Sequence, residues 1–329
     1  MARLHSDAKV LLGIGAVLVI PFALTLMTIQ GPRTLVTDLA ANPTPHGYTW
    51  SLSLFIVPVI VLGLWVSLRR QNPIQKRAFW ITAVLLSGAG ILLDVCFGLS
   101  FFTFVNRAAT LGATFWGYSF ARGWQKTIPI EEIGFYTFGI VAVLLAYVWG
   151  DEIWFGAYNR DDRPRRTTRL RDLFSFHPHS AIFGVVLFGL GLLYKKFGPH
   201  PWHEGFPGYF LFLTMVAITP SIIFFPVANP FINWRAFSLA FLFILLVSLF
   251  WEAAIAVPYQ WWGFQPRQMI GLLINGFCGL PLEEPLLWLA VTWATVIVYE
   301  TIYTALHALA AQRASPLREP SSPQLTQTQ

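Results

Sequence analysis

Two copies of a short acidic motif stand where acids are costly. Pro129-Ile130-Glu131-Glu132 opens one long apolar run and Pro281-Leu282-Glu283-Glu284 opens another. The apolar run before each motif carries an acid of its own, Asp94 in the first case and Glu252 in the second. An unpaired ionisable group within hydrocarbon costs about 2.5 kcal/mol or more, and such groups face a protein interior or a cavity. No Lys or Arg within these runs could neutralise all six acids, so the layer is expected to hold protons, one carboxyl acting as donor and another as acceptor. Adjacent helical residues project about 100° apart, so one Glu of each pair faces a given spot. The first of each pair, Glu131 and Glu283, is favoured as acid and base, with Glu132 and Glu284 beside them and Asp94 and Glu252 tuning their protonation. Pro followed by acids is also an ordinary helix start, and Asp94 and Glu252 would serve equally well to hold helices together. Duplication with a matched acid is what argues for chemistry.

Aromatic residues accompany the acids. Phe135, Tyr136, Trp251, Trp262 and Trp288 are the candidate substrate-lining residues, since ring faces stabilise a nearby cation. Trp80, Phe101, Phe102 and Trp116 are assigned to the same neighbourhood, where interfacial belts and packing also account for many rings. His177-x-His179 and His200-x-x-His203 have metal-ligand spacing, but an intervening span holds the pairs roughly 25 to 30 Å apart, and no shared metal site is expected. Asp161-Asp162 lacks the further acid of a D-D-x-x-D magnesium site, which disfavours a prenyltransferase. Cys96 and Cys278 form no C-x-x-C and are expected to be free thiols. Neither a dinucleotide fingerprint nor a P-loop occurs.

The elements that position these groups are membrane helices. Of 329 residues, 55% are hydrophobic and 12% charged, with 14 Trp and 29 Phe, far from the roughly 25% charge of soluble domains. Apolar runs long enough to cross about 30 Å of hydrocarbon lie near 9 to 29, 48 to 68, 78 to 102, 128 to 149, 179 to 194, 208 to 228, 235 to 256 and 280 to 304. The fold class is therefore all-α, a polytopic membrane protein of about eight helices. The first run is long for a signal peptide and is kept as a span. Of the 22 Lys and Arg, 15 fall on the side holding both termini and the Arg160 to Arg171 loop. That places both termini in the cytoplasm, with the cytoplasmic membrane of a prokaryote as the expected location. The basic residues form no continuous face for nucleic acid.

The halves repeat each other. Gly47-Tyr48 and Gly208-Tyr209 open corresponding spans, and Arg77-Ala78-Phe79 and Arg235-Ala236-Phe237 open the next, each with its acid 17 residues later. Tyr147 and Tyr299 each follow the first motif Glu by 16 residues. Trp116-Gly117-Tyr118 and Trp262-Gly263-Phe264 are a weaker correspondence. This predicts two parallel repeats, 1–150 and 151–311, about a pseudo-twofold axis along the membrane normal, followed by a disordered 312–329 tail. A single site between the halves is expected.

The duplicated P-[IL]-E-E, the aromatic pair Phe135-Tyr136 after its first copy and the acid late in the preceding helix resemble the heterodimeric-type carotenoid cyclases, lycopene cyclases that occur as two small subunits or one fused chain. The likeness is clearest over 77–150 and 235–304. The chain departs from the family pattern at Leu93-Asp94, where a Trp often precedes the acid, and at Leu287-Trp288, where two aromatics are usual. The resemblance implies a fused two-repeat cyclase that closes the acyclic ends of lycopene or a related carotenoid in the membrane without net redox change. By position it carries over Glu131, Glu132, Glu283, Glu284, Asp94 and Glu252. It implies membrane lipid and a carotenoid or other polyprenyl substrate as partners, with other carotenoid-pathway enzymes as neighbours. Such chemistry requires no cofactor and leaves a role for reduced flavin or nicotinamide open. A cyclase of another polyprenyl lipid and a proton-coupled transporter are the alternative readings.

Overall fold

The computed structural model describes residues 38–68, 74–159 and 173–314, together with Ile20 and Leu24. Seven helices among them are long and apolar enough to cross a membrane. They are α1 (Gly47–Leu68), α2 (Lys76–Phe101), α3 (Glu131–Trp149), α4 (Pro178–Phe197), α5 (Gly208–Ala228), α6 (Trp234–Trp251) and α7 (Glu283–Ala314). A π-helical turn, Gly150–Trp154, extends α3, and another, Glu252–Ala256, extends α6. Most of the expected first span, all of the basic 160–171 loop and the tail from 315 lie outside the described residues. The chain is an all-α polytopic membrane protein, and the seven helices match the second to eighth expected spans.

The helices carry apolar residues on their exposed as well as their buried faces, as helices between protein and lipid do. In α1, Tyr48, Leu52, Val59 and Val66 form a buried stripe, while Leu54, Val57, Val61 and Leu64 remain more than half exposed. Lipid solvates the outer face as well as protein would, so association rests on close packing and hydrogen bonds. In α4, for example, Gly184 and Gly191 are buried one heptad apart, and α5 approaches so closely that a Cβ at Gly191 would stand 2.3 Å from the ring of Phe210.

Packing follows the duplication. Within the halves, α1 lies on α3 as α5 lies on α7, and α2 on α3 as α6 on α7. Between them, α3 packs on α6 as α7 packs on α2, with α3 and α7 also in contact. The Tyr147 and Tyr299 rings meet edge to face at 6.1 Å. One end of the bundle carries short strands: β1 (Phe102–Thr103), β2 (Thr114–Ser119), β3 (Gly123–Pro129), β4 (Gly263–Phe264), β5 (Leu273–Ile274) and β6 (Leu280–Pro281). β1 pairs with β4 across the halves. The Asn106 N–H donates to the Gln260 carbonyl at 3.3 Å, and the Gln265 N–H donates to the Phe101 carbonyl at 2.9 Å. Exchanging the halves turns one of these bonds into the other, so the pseudo-axis passes through this ladder. β2–β3 and β5–β6 are the corresponding hairpins, each leading into a Glu-Glu helix. Since β4 pairs with β1 while Trp116-Gly117-Tyr118 lies in β2 opposite Trp124 to Lys126, the Trp-Gly-aromatic triplets are not equivalent. The counterpart of Asn106 is Gln265.

Candidate active site

The two Glu residues of each motif part company. Glu131 Oε1 accepts from Thr49 Oγ1 at 2.5 Å and from the Leu111 N–H at 2.7 Å. Glu283 Oε1 likewise accepts from the Ile270 N–H at 2.5 Å. These first acids tie the helix starts to the loops that precede the hairpins. About 100° round the helix, the second acids point inward: Tyr48 Oη donates to Glu132 Oε1 at 2.5 Å and Tyr209 Oη to Glu284 Oε1 at 3.1 Å. Of each pair it is thus the second, Glu132 and Glu284, that lines the central cavity, and not the favoured Glu131 and Glu283. The helix phase that decides this is fixed by backbone donors at Leu111 and Ile270, which are not visible in the motif.

The late-helix acids join the same layer. Trp288 Nε1 donates to Glu252 Oε1 at 3.3 Å, and the equivalent bond in the first half runs from Tyr136 Oη to Asp94 Oδ1 at 3.4 Å. Ser248 Oγ also donates to Glu252. All six acids are buried. Glu252 and Glu284, at the end of α6 and the start of α7, meet in the lining of one cavity. Lys195, buried at the end of α4, donates to the Pro266 carbonyl at 3.0 Å, and its charge acts on Glu283.

Glu132, Glu252 and Glu284 line a central cavity of about 30 Å³ with Tyr48, Tyr136 and Trp262, roughly the share of one water molecule. Apolar grooves flank it. The first, about 100 Å³, runs between α1, α3, α6 and α7 and is lined by Phe135, Trp251 and Trp288 among others. The second, about 110 Å³, runs between α2, α3, α5 and α7 and is lined by Asp94 and Tyr136 among others. Phe135 borders both the first groove and the cavity, and Tyr136 borders both the second groove and the cavity. The grooves are counterparts: Trp251 precedes Glu252 as Leu93 precedes Asp94, and Trp288 follows Glu284 by four residues as Tyr136 follows Glu132.

All five candidate aromatics thus reach the cavity or a groove, and Phe101 and Phe102 line the second groove. Two others do not belong. Trp80 donates to Ser67 near the opposite end of the bundle, and Trp116 is 57% exposed on β2. His177 and His179 lie at the start of α4, whereas His200 and His203 follow its end; no group of three or more His, Cys, Asp or Glu among the described residues has metal-holding geometry. Cys96 and Cys278 are free. Sequence reasoning gave Tyr48 and Tyr209 no chemical role, although their matched positions at the second and sixth spans were the available signal. It also missed Ser248, Thr49 and Lys195, and at the far end of the bundle the buried bond from Tyr147 Oη to Glu300 Oε1 at 2.7 Å.

The arrangement presents three carboxyls to one small cavity flanked by apolar grooves. It suits proton addition to and removal from a hydrocarbon, with aromatic faces available to a cation. Comparison with family models, with curated proteins and with solved structures gives no match.

Proposed function

We propose that the chain is an intramembrane acid–base cyclase that closes the acyclic end of a polyene, with lycopene or a related carotenoid as substrate. The observation that carries this reading is the meeting of Glu132, Glu252 and Glu284, from both halves, at one cavity between two apolar grooves. A water-soluble substrate has no use for such walls. A lipid-dissolved polyene enters from the bilayer and brings its terminal alkene to the acids.

The reaction needs three steps. A carboxylic acid adds its proton to the terminal double bond, the next double bond attacks the resulting cation to form the ring C–C bond, and a carboxylate removes a proton from a ring carbon. Proton gain and loss balance, and no electrons are exchanged with a second reactant. Water would trap the cation as an alcohol, and the small cavity with its aromatic rim keeps water away. Tyr48 and Tyr209 orient Glu132 and Glu284, while Ser248 and Trp288 orient Glu252. Glu131 and Glu283 hold the loops that cover the layer. With both termini in the cytoplasm, as the distribution of Lys and Arg implies, the acids lie towards the outer face of a prokaryotic cytoplasmic membrane.

The test is expression in lycopene-accumulating cells, with pigments separated by chromatography and weighed by mass spectrometry. The expected product has the mass of lycopene, altered retention and absorption at shorter wavelength, and it disappears in Glu284→Gln. Unchanged lycopene in cells whose membranes contain the intact chain would overturn the reading.

A further inference from the structure

We propose that only one of the two equivalent grooves is reactive: the first groove, with the Glu252–Glu284 pair, holds the alkene end while it cyclises, and the second holds the body of the same molecule. This rests on the cyclase reading and goes further, since it gives the repeats different tasks.

Three differences between the halves carry it. The carboxyl pair is complete only on one side: Glu252 and Glu284 both line the central cavity, whereas Asp94, one methylene shorter, bonds to Tyr136 and lines the second groove instead of joining Glu132 there. An acid and a base that share a proton can give it to the alkene and receive the ring proton in return, so the pair is restored after each turnover. Next, only the first groove presents indoles; the rings of the second are those of Phe97, Phe101, Phe102, Phe212, Tyr136 and Tyr209. Phe135 and Trp251 stack at 6.3 Å and Phe135 meets Trp288 at 5.8 Å. Both indole N–H groups are engaged, Trp251 with Ser51 at 2.5 Å and Trp288 with Glu252, which leaves the π faces for the groove; indole is the strongest cation–π partner among the side chains. The corresponding residues in the second groove are Leu287, Leu93 and Tyr136. Finally, the backbone differs: Glu252 opens a π-helical turn, whereas Asp94 sits within regular α-helix. Such π turns inside helices recur at functional sites.

The second groove suits a passive chain. Where the first has Val247 and Ser248, it has Ala89 and Gly90, the latter covered by the Tyr136 ring, so no hydroxyl stands there to orient Asp94 as Ser248 orients Glu252. A symmetric substrate must then leave and return reversed for its second end to react.

The experiment uses the full chain in membranes supplied with lycopene, followed over time by chromatography, with chain abundance measured in each membrane. Glu252→Gln is expected to slow ring formation at least about 100-fold and Asp94→Asn less than about 5-fold. Trp251→Leu, which gives the first groove the residue its counterpart already has, is expected to slow it about 10-fold or more at unchanged abundance. Monocyclic product should appear free before bicyclic product. Equal losses in Glu252→Gln and Asp94→Asn, full activity in Trp251→Leu, or bicyclic product with no free monocyclic stage would overturn the proposal while leaving the cyclase reading intact. If Glu252→Gln does not accumulate, Trp251→Leu decides. A wild-type chain that makes no ring at all overturns both.

Discussion

Tyr48 Oη donates to Glu132 Oε1 at 2.5 Å, joining the first turn of α1 to the first turn of α3 across 84 residues of chain. Both partners are buried, so the bond holds the carboxyl in one orientation within a medium that offers no substitute donor. Removing the hydroxyl leaves a buried acceptor short of a partner, at a cost of about 1–3 kcal/mol. Tyr48→Phe is expected to reduce ring formation about tenfold, since 1.4 kcal/mol of barrier corresponds to about that factor. Tyr209→Phe, which frees Glu284, is expected to do the same. Initial rates of product formation at equal chain abundance check this, and unchanged rates in both variants would show that the tyrosines only pack.

The adjacent acids of each motif should separate by substitution. Glu132→Gln removes a proton carrier and is expected to lower the rate about 100-fold. Glu131→Gln keeps an oxygen that can accept from the Leu111 N–H, so activity should stay within about threefold of wild type. Glu131→Ala instead strands that N–H and the Thr49 hydroxyl, and should cost about 1–3 kcal/mol of stability, read as a lower unfolding midpoint in detergent. The reverse order, with Glu131→Gln inactive and Glu132→Gln active, would restore the assignment read from the motif alone.

Much of this organisation can be read from spacing. The matched intervals from Arg77 to Asp94 and from Arg235 to Glu252, and from Glu131 to Tyr147 and from Glu283 to Tyr299, lie within single helices, where rise and phase are fixed by backbone hydrogen bonds. Those intervals locate the acid layer and the helix partners. The loops obey no such constraint. Counting from Thr114 to Pro129 and from Leu273 to Pro281, the first hairpin is seven residues longer, and an exposed hairpin lengthens at little cost. Hence Trp116-Gly117-Tyr118 matched Trp262-Gly263-Phe264 in letters and not in place. Which Glu of each pair turns inward was equally hidden, because it depends on contacts with Leu111, Ile270, Tyr48 and Tyr209 that come from distant parts of the chain.

Close packing on α4 gives a stability prediction independent of function. A Cβ at Gly191 would stand 2.3 Å from Phe210, whereas one at Gly189 meets nothing within 4 Å. Gly191→Val should therefore push α4 off α5 and cost about 1–3 kcal/mol, lowering the unfolding midpoint in detergent. Gly189→Ala should be neutral or slightly stabilising, because Ala is the better helix former by about 1 kcal/mol. Equal midpoints for Gly191→Val and wild type would mean that the α4–α5 contact is looser than the geometry indicates.

The isotope content of the product reports the proton path directly. The hydrogen added to the alkene comes from a carboxyl, which exchanges with solvent, whereas the hydrogen removed comes from carbon. In D₂O each new ring should therefore gain about one mass unit when the carboxyls re-equilibrate with solvent between turnovers. If Glu252 and Glu284 pass the abstracted hydrogen between them faster than it exchanges, the gain falls below one, and it should rise again as turnover is slowed by limiting substrate. That dependence on turnover rate is the outcome expected of a buried, paired acid and base. A full mass unit per ring at every rate would show that the carboxyls stay in rapid contact with water, and a gain of three or more mass units per ring would mean net hydrogen addition and rule out proton-balanced cyclisation.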